Sequence, residues 1–125
     1  MLRTRTAQIV LHDHWCVVAT IDANARQTIE DARENLAATA MLAGDDRRPL
    51  LVDIARAAPL EPEVRHFYTG TQLVAAFHAL GLLVEASPFG HVMGNIYLRV
   101  ARPGIPTRLF VDRTKAFAWL RGFAK

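Results

Sequence analysis

His12, His14 and Cys16 stand at i, i+2 and i+4. On one continuous strand that spacing puts three side chains on a single face, within reach of one metal ion. Asp13-His14, however, falls where the chain should turn between two β-rich segments, which breaks the register. His66, His78 and His91 sit in three different segments, and no spacing among them matches a metal motif. No metal is therefore expected. Nucleophiles fare no better. There is no G-x-S-x-G motif, the one serine, Ser87, is explained as a helix cap, and Cys16 lies among valines, where a thiol is inert. Asp53, Glu61 and Glu85 would have to converge on a cleft to do acid/base work, and solvated or capping roles fit them better. With no cofactor fingerprint either, no cofactor is expected and an enzyme is the reading with least support.

The length of 125 residues is that of one domain, here 1–125, and the 51% apolar content is enough to build its own core. No apolar run approaches a membrane span, and MLRTRTAQIV lacks the apolar stretch of a signal peptide. The single cysteine forms no internal disulfide and fits a reducing compartment. A cytoplasmic protein with no membrane partner is expected. The net charge of +3 is uneven. Residues 1–98 carry eight Arg against eleven acids, whereas 99–125 carry seven bases against Asp112 alone. Such asymmetry can mark a nucleic-acid surface. With no motif for it and no aromatics arranged to stack bases, nucleic acid is set aside in favour of a solvated basic face.

The elements that would position these side chains follow from periodicity. Residues 5–11 and 15–21 read as a hairpin turning at Asp13-His14. Thr28, with Asp31 three residues on, is a capping box for a helix carrying Ile29, Ala32, Leu36 and Ala40 and ended by Gly44. PLLVDI (49–54) and LGLLVEA (80–86) are unbroken apolar runs, the mark of parallel strands covered on both faces. Pro62 opens a helix with Val64, Phe67 and Tyr68, interrupted at Gly70 and resumed through Phe77. Ser87-Pro88 opens another, with Val92, Met93, Ile96, Tyr97 and Val100. TRLFV (107–111) is a strand, and Asp112 caps a last helix carrying Ala116, Trp119, Leu120 and Phe123. The order β-β-α-β-α-β-α-β-α predicts an α/β fold: a mixed sheet of four or five strands, a hairpin and then largely parallel, with about four helices.

Four pieces carry a family likeness: Leu51-Val52-Asp53-Ile54, Arg65-His66-Phe67-Tyr68, Gly94-Asn95-Ile96-Tyr97-Leu98, and Pro106-Thr107-Arg108-Leu109-Phe110 running into Ala116–Leu120. In this order and at these lengths they resemble the STAS fold of anti-sigma-factor antagonists and the related SEC14-type lipid-binding domains. The match is nearest to small bacterial STAS-like proteins of unknown function. In those antagonists an acid or amide near the end of the third strand is followed, eight residues on, by an Asp-Ser pair whose serine is the phosphorylation switch. Asp53 and Glu61 match the two acidic positions, and Pro62 stands where the serine would be. The resemblance thus implies the fold without the phosphoswitch, and Glu61 places a fixed negative charge where a phosphate would bring one.

Ser87-Pro88-Phe89-Gly90 joins a strand end to a helix start, where ligands of open α/β sheets bind and helix N-termini attract anions. Gly90 and Gly94 are four apart on that helix, a spacing that permits close approach to the sheet. The candidate ligand or partner site is therefore Asp53, Glu61, Ser87, Gly90 and Asn95. Phe117 and Trp119 stand roughly opposed around the last helix, so one of them should be exposed or at an interface. The function expected is a non-catalytic binding or regulatory module acting through protein contacts and self-association, with a dimer first. The alternative is a carrier of a small apolar or lipid-like ligand.

Overall fold

The computed structural model describes residues 1–59, 61–68, 76–88, 92 and 105–124. Six strands form one sheet in the order β1-β2-β3-β4-β5-β6. They are β1 (Leu2–Arg3), β2 (Ala7–His12), β3 (Cys16–Ile21), β4 (Leu50–Asp53), β5 (Leu80–Leu83) and β6 (Thr107–Phe110). β1, β2 and β3 pair antiparallel, and β3 through β6 pair parallel. Three α-helices are described: α1 (Ile29–Ala43), α2 (Pro62–Tyr68) and α3 (Arg113–Arg121). The α/β, hairpin-then-parallel architecture is as expected. The sheet has one strand more than the four or five expected, because β1 is only two residues long. So short a strand shows no periodicity, and pairing with Ile9 and Gln8 is what defines it. The helix expected from Ser87-Pro88 is seen only at Pro88 and Val92, and its remaining residues lie outside those described.

The turn between β2 and β3 closes with Trp15 N donating to His12 O at 3.1 Å. Asp13 and His14 take φ of 48° and 65°. Two consecutive left-handed residues make a primed turn, whose twist matches that of the strands it joins. α1 starts on the expected capping box: the Thr28 side chain accepts from Asp31 N, and the Asp31 carboxylate accepts from Thr28 N. It ends at Gly44, with φ 65° and its N–H bonded to Ala40 O.

Alternation along the strands sorts side chains onto two faces. Ala7, Ile9, Val17, Ala19, Ile21, Leu50 and Leu80 pack with Leu36 and Ala43 of α1 and with Phe77. Cys16, Val18, Leu51 and Leu83 pack on the other face with Ala116 and Leu120 of α3. α3 comes closest at Gly81, where an added Cβ would stand 3.2 Å from Leu51 Cδ1 and 3.3 Å from Leu120 Cδ1. Glycine is the residue that lets this helix approach the sheet.

The N-terminal loop is tied to α1 by polar contacts. Arg5 donates to the buried Asp31, and its backbone N–H donates to Glu34 at 2.8 Å. Asn35 joins Thr4, Thr6 and Gln27 in one buried network. Burying these groups is tolerable because they satisfy one another.

Candidate functional site

Each parallel strand feeds a helix, so strand ends and helix starts gather at the carboxyl edge of the sheet. Asp53 ends β4 there and is largely buried. Its Oδ1 accepts from Ala55 N at 3.0 Å, and its Oδ2 accepts from Arg113 Nη2 at 3.0 Å. The bond to the following loop is the one a strand-end aspartate should make. The bond to Arg113 crosses from β4 to the first turn of α3 and had no signal in the sequence. Glu61 is exposed, and its carbonyl accepts from Val64 N at 3.0 Å at the start of α2. Ser87 is half-buried beside Glu85, whose carbonyl its N–H meets at 2.8 Å. Gly90 and Asn95 lie outside the described residues. A shared acid pair is not what the geometry makes, since Asp53 is committed to Arg113 while Glu61 and Glu85 are exposed.

Phe117 and Trp119 occupy opposite flanks of α3, and both are half-buried. Phe117 stacks on His12 at 4.3 Å and meets Trp15 edge-on at 6.1 Å. Trp119 leans on Phe110 at 5.7 Å and on Phe123 at 4.9 Å. Arg121 covers the Trp15 ring at 4.9 Å, and Arg108 covers that of Phe110 at 5.5 Å. Much of the aromatic surplus is thus absorbed within the chain. The wheel of α3 placed the two rings on opposite flanks but not against these partners.

His12 and Cys16 are paired across the hairpin on one face, while His14 sits in the turn, as the broken register requires. Cys16 is fully buried, and burial pushes its thiol up to about 12. Among the described residues no three His, Cys, Asp or Glu side chains are grouped to hold a metal ion.

Two concavities are lined by described residues. A small cleft of about 190 Å³ at the amino edge of the parallel strands is lined by His14, Trp15, Asp46, Arg48, Pro49 and His78. Arg48 spans it, donating to the carbonyls of His14, at 2.9 Å, and Ala43. It thereby clamps the hairpin turn to the end of α1. An open groove of about 530 Å³ between α1 and α2 is lined by Arg33, Leu36, Ala37, Ala40 and Phe67. Among the described residues no helix is long and apolar enough to cross a membrane.

A sheet led by an antiparallel hairpin, parallel thereafter, with helices on both faces, is the SpoIIAA-like architecture of STAS domains. An uncharacterised DUF3478-family protein of Shewanella loihica PV-4 with a SpoIIAA-like fold is similar to this chain at TM-score 0.63 and 15% identity. That similarity covers 96% of this chain and 98% of that one and shows the fold alone. The chain belongs to the DUF7793 family, a domain of unknown function, which it matches over residues 11–124. A protein of unknown function from Arthrobacter sp. FB24 is 26% identical over 91% of this chain and 98% of its own, with a TM-score of 0.36 that is too low to bear on the fold. No curated protein matches the chain. The STAS-like layout read from the order of elements is therefore correct.

Proposed function

We propose that the protein is a non-catalytic binding and regulatory module of the cytoplasm that works through protein contacts, first of all with a second copy of itself. The supporting observation is a strip of one sheet face, along β2, that the described residues leave partly open. Six strands about 4.8 Å apart span roughly 24 Å, while a helix with its side chains is about 10 Å across. α3 packs over β4, β5 and β6 and reaches the buried Cys16 and Val18 of β3. Beside it the same face carries Gln8, Val10 and Thr20, flanked by Phe117 and His12. Charges bordering this floor are paired within the chain, Arg3 with Asp22 and Arg113 with Asp53. This mixed polar and apolar strip suits the α3 of a second copy, and a two-fold pairing would cover both strips at once.

The regulatory part of the reading leans on Glu61, whose exposed carboxylate stands at the start of α2 where the resembled antagonists carry their acid-serine pair. With Pro62 next to it, the charge is permanent. The carrier reading draws on one feature, the open groove bordered by Leu36, Ala37, Ala40 and Phe67. Native mass spectrometry of protein purified from its own cell separates the two. A two-subunit species without added mass supports the contact module, and a single subunit carrying a co-purified apolar molecule supports the carrier.

A further inference from the structure

β6 is the last strand of the sheet, and among the described residues nothing pairs with its outer side. Its inner side is fixed by the bonds from Leu80 N to Pro106 O and from Val84 N to Phe110 O, both 2.9 Å. Backbone groups alternate in direction along a strand. Pro106, Arg108 and Phe110 therefore face β5, and the N–H and C=O groups of Thr107 and Leu109 point outward, followed by those of Val111 just past the strand. Such a row is a template for an added strand unless something blunts it.

The side chains beside this edge define what it would take. Arg108 and Phe110 stand on the α3 face, with Trp119 against Phe110. Arg108 and Lys115 are exposed, and among the described residues neither has a carboxylate partner. The nearby acid Asp112 is occupied in capping Thr114 N at 2.8 Å. Val111, at the end of the edge, is 44% exposed. Among the described residues, outward backbone donors and acceptors, cations without a carboxylate partner and apolar surface thus coincide in one place.

We propose that the β6 edge is a docking site for an extended, acidic segment of a partner protein, which adds to the sheet as a seventh strand. This rests on the protein-contact reading and names a partner other than a second copy. Its side chains toward α3 would alternate: an acid beside Arg108, then, two residues on, an apolar group beside Phe110 and Trp119. A second copy fits this edge less well, because β6 against β6 would set Arg108 and Lys115 near their own duplicates. Nucleic acid fits less well too, because Arg108 already covers the Phe110 ring and Phe123 packs on Trp119, so these rings are engaged within the chain rather than set out to stack bases.

The test is amide hydrogen exchange on the whole chain with a synthetic seven-residue peptide alternating Glu and Val, against a Lys/Val peptide of the same pattern. Thr107, Leu109 and Val111 amides should exchange freely in the protein alone and become protected with the Glu/Val peptide. Affinity should fall at least tenfold at high salt and at least tenfold in Arg108→Glu, while Arg26→Glu, in the exposed loop before α1, binds as the parent does. Equal binding of the Lys/Val peptide, binding that leaves these amides unprotected, or amides already protected without peptide would each overturn the proposal. Protection that rises with protein concentration alone would assign the edge to a second copy, which also overturns it. Light scattering on the same samples reports self-association separately, so a monomer that still takes the peptide sinks the dimer and leaves the edge standing.

Discussion

The Asp53 carboxylate, at the end of β4, accepts a hydrogen bond from Arg113 at 3.0 Å across 60 residues of chain. One oxygen orders the loop after the strand, and the other fastens the first turn of α3 to the sheet. The ion pair itself, open to solvent on its Arg113 side, contributes little, about 0–1 kcal/mol. The bond to Ala55 N satisfies a half-buried donor, whose loss costs about 1–3 kcal/mol. Asp53→Ala should therefore lower the denaturation midpoint clearly, Asp53→Asn less, and Arg113→Ala least. Urea titrations followed by circular dichroism give that order. If all three unfold like the parent while self-association is lost, Asp53 belongs to the interface rather than to the scaffold.

Gly81 sets how closely α3 lies on the sheet. Gly81→Ala puts a methyl 3.2 Å from Leu51 Cδ1 and 3.3 Å from Leu120 Cδ1, inside ordinary van der Waals contact, so both leucines must give way and overpacking should destabilise by about 1–3 kcal/mol. Leu120→Ala removes the fully buried side chain opposite and should cost about 2–5 kcal/mol. The two residues are in contact, so the double variant should cost less than the sum of the singles. Strict additivity in the denaturation midpoints would contradict this packing.

Asp31 carries a pH dependence. The Arg5 guanidinium, and then the backbone N–H and hydroxyl of Thr28, hold its carboxyl well below the usual carboxylate range against the opposing effect of burial. A depressed carboxylate stabilises the fold above its unfolded pKa of about 3.9, and that stability is lost as pH falls through the folded value. The parent should thus lose stability steadily below about pH 4. Asp31→Asn should start lower and show a flatter acid limb. An identical acid limb in both would show that Asp31 is not the group responsible.

Cys16 should be inert while the protein is folded. Burial raises its thiol to about 12, so almost no thiolate forms near pH 8, and the thiolate is the reactive species. Alkylation should require unfolding. Because the unfolded thiol titrates near 8.5, stability should also decline as pH rises above that value. Rapid labelling of the native chain by iodoacetamide would contradict the burial.

The sequence was most informative where a local rule acts alone. Thr28 and Asp31 announced their capping box, Gly44 the end of α1, and the apolar runs at 49–54 and 80–86 their two-sided burial. β1 escaped notice because two residues carry no period and only pairing makes them a strand. Arg113 escaped as the partner of Asp53 because a contact spanning 60 residues leaves no mark on either neighbourhood. For Phe117 and Trp119 the helix wheel showed opposed flanks. That His12, Trp15, Phe110 and Phe123 would meet them depends on where α3 crosses the sheet, which Gly81 and Leu120 decide.

Self-association through the partly open β2 strip of the α3 face is tested most directly by light scattering at micromolar concentration, on the parent and on a Gln8→Arg/Thr20→Arg variant whose circular dichroism matches it. The parent should scatter as twice the 13.9 kDa chain, and the variant as a single chain. A parent seen only near 13.9 kDa, or a variant that remains dimeric, would contradict it.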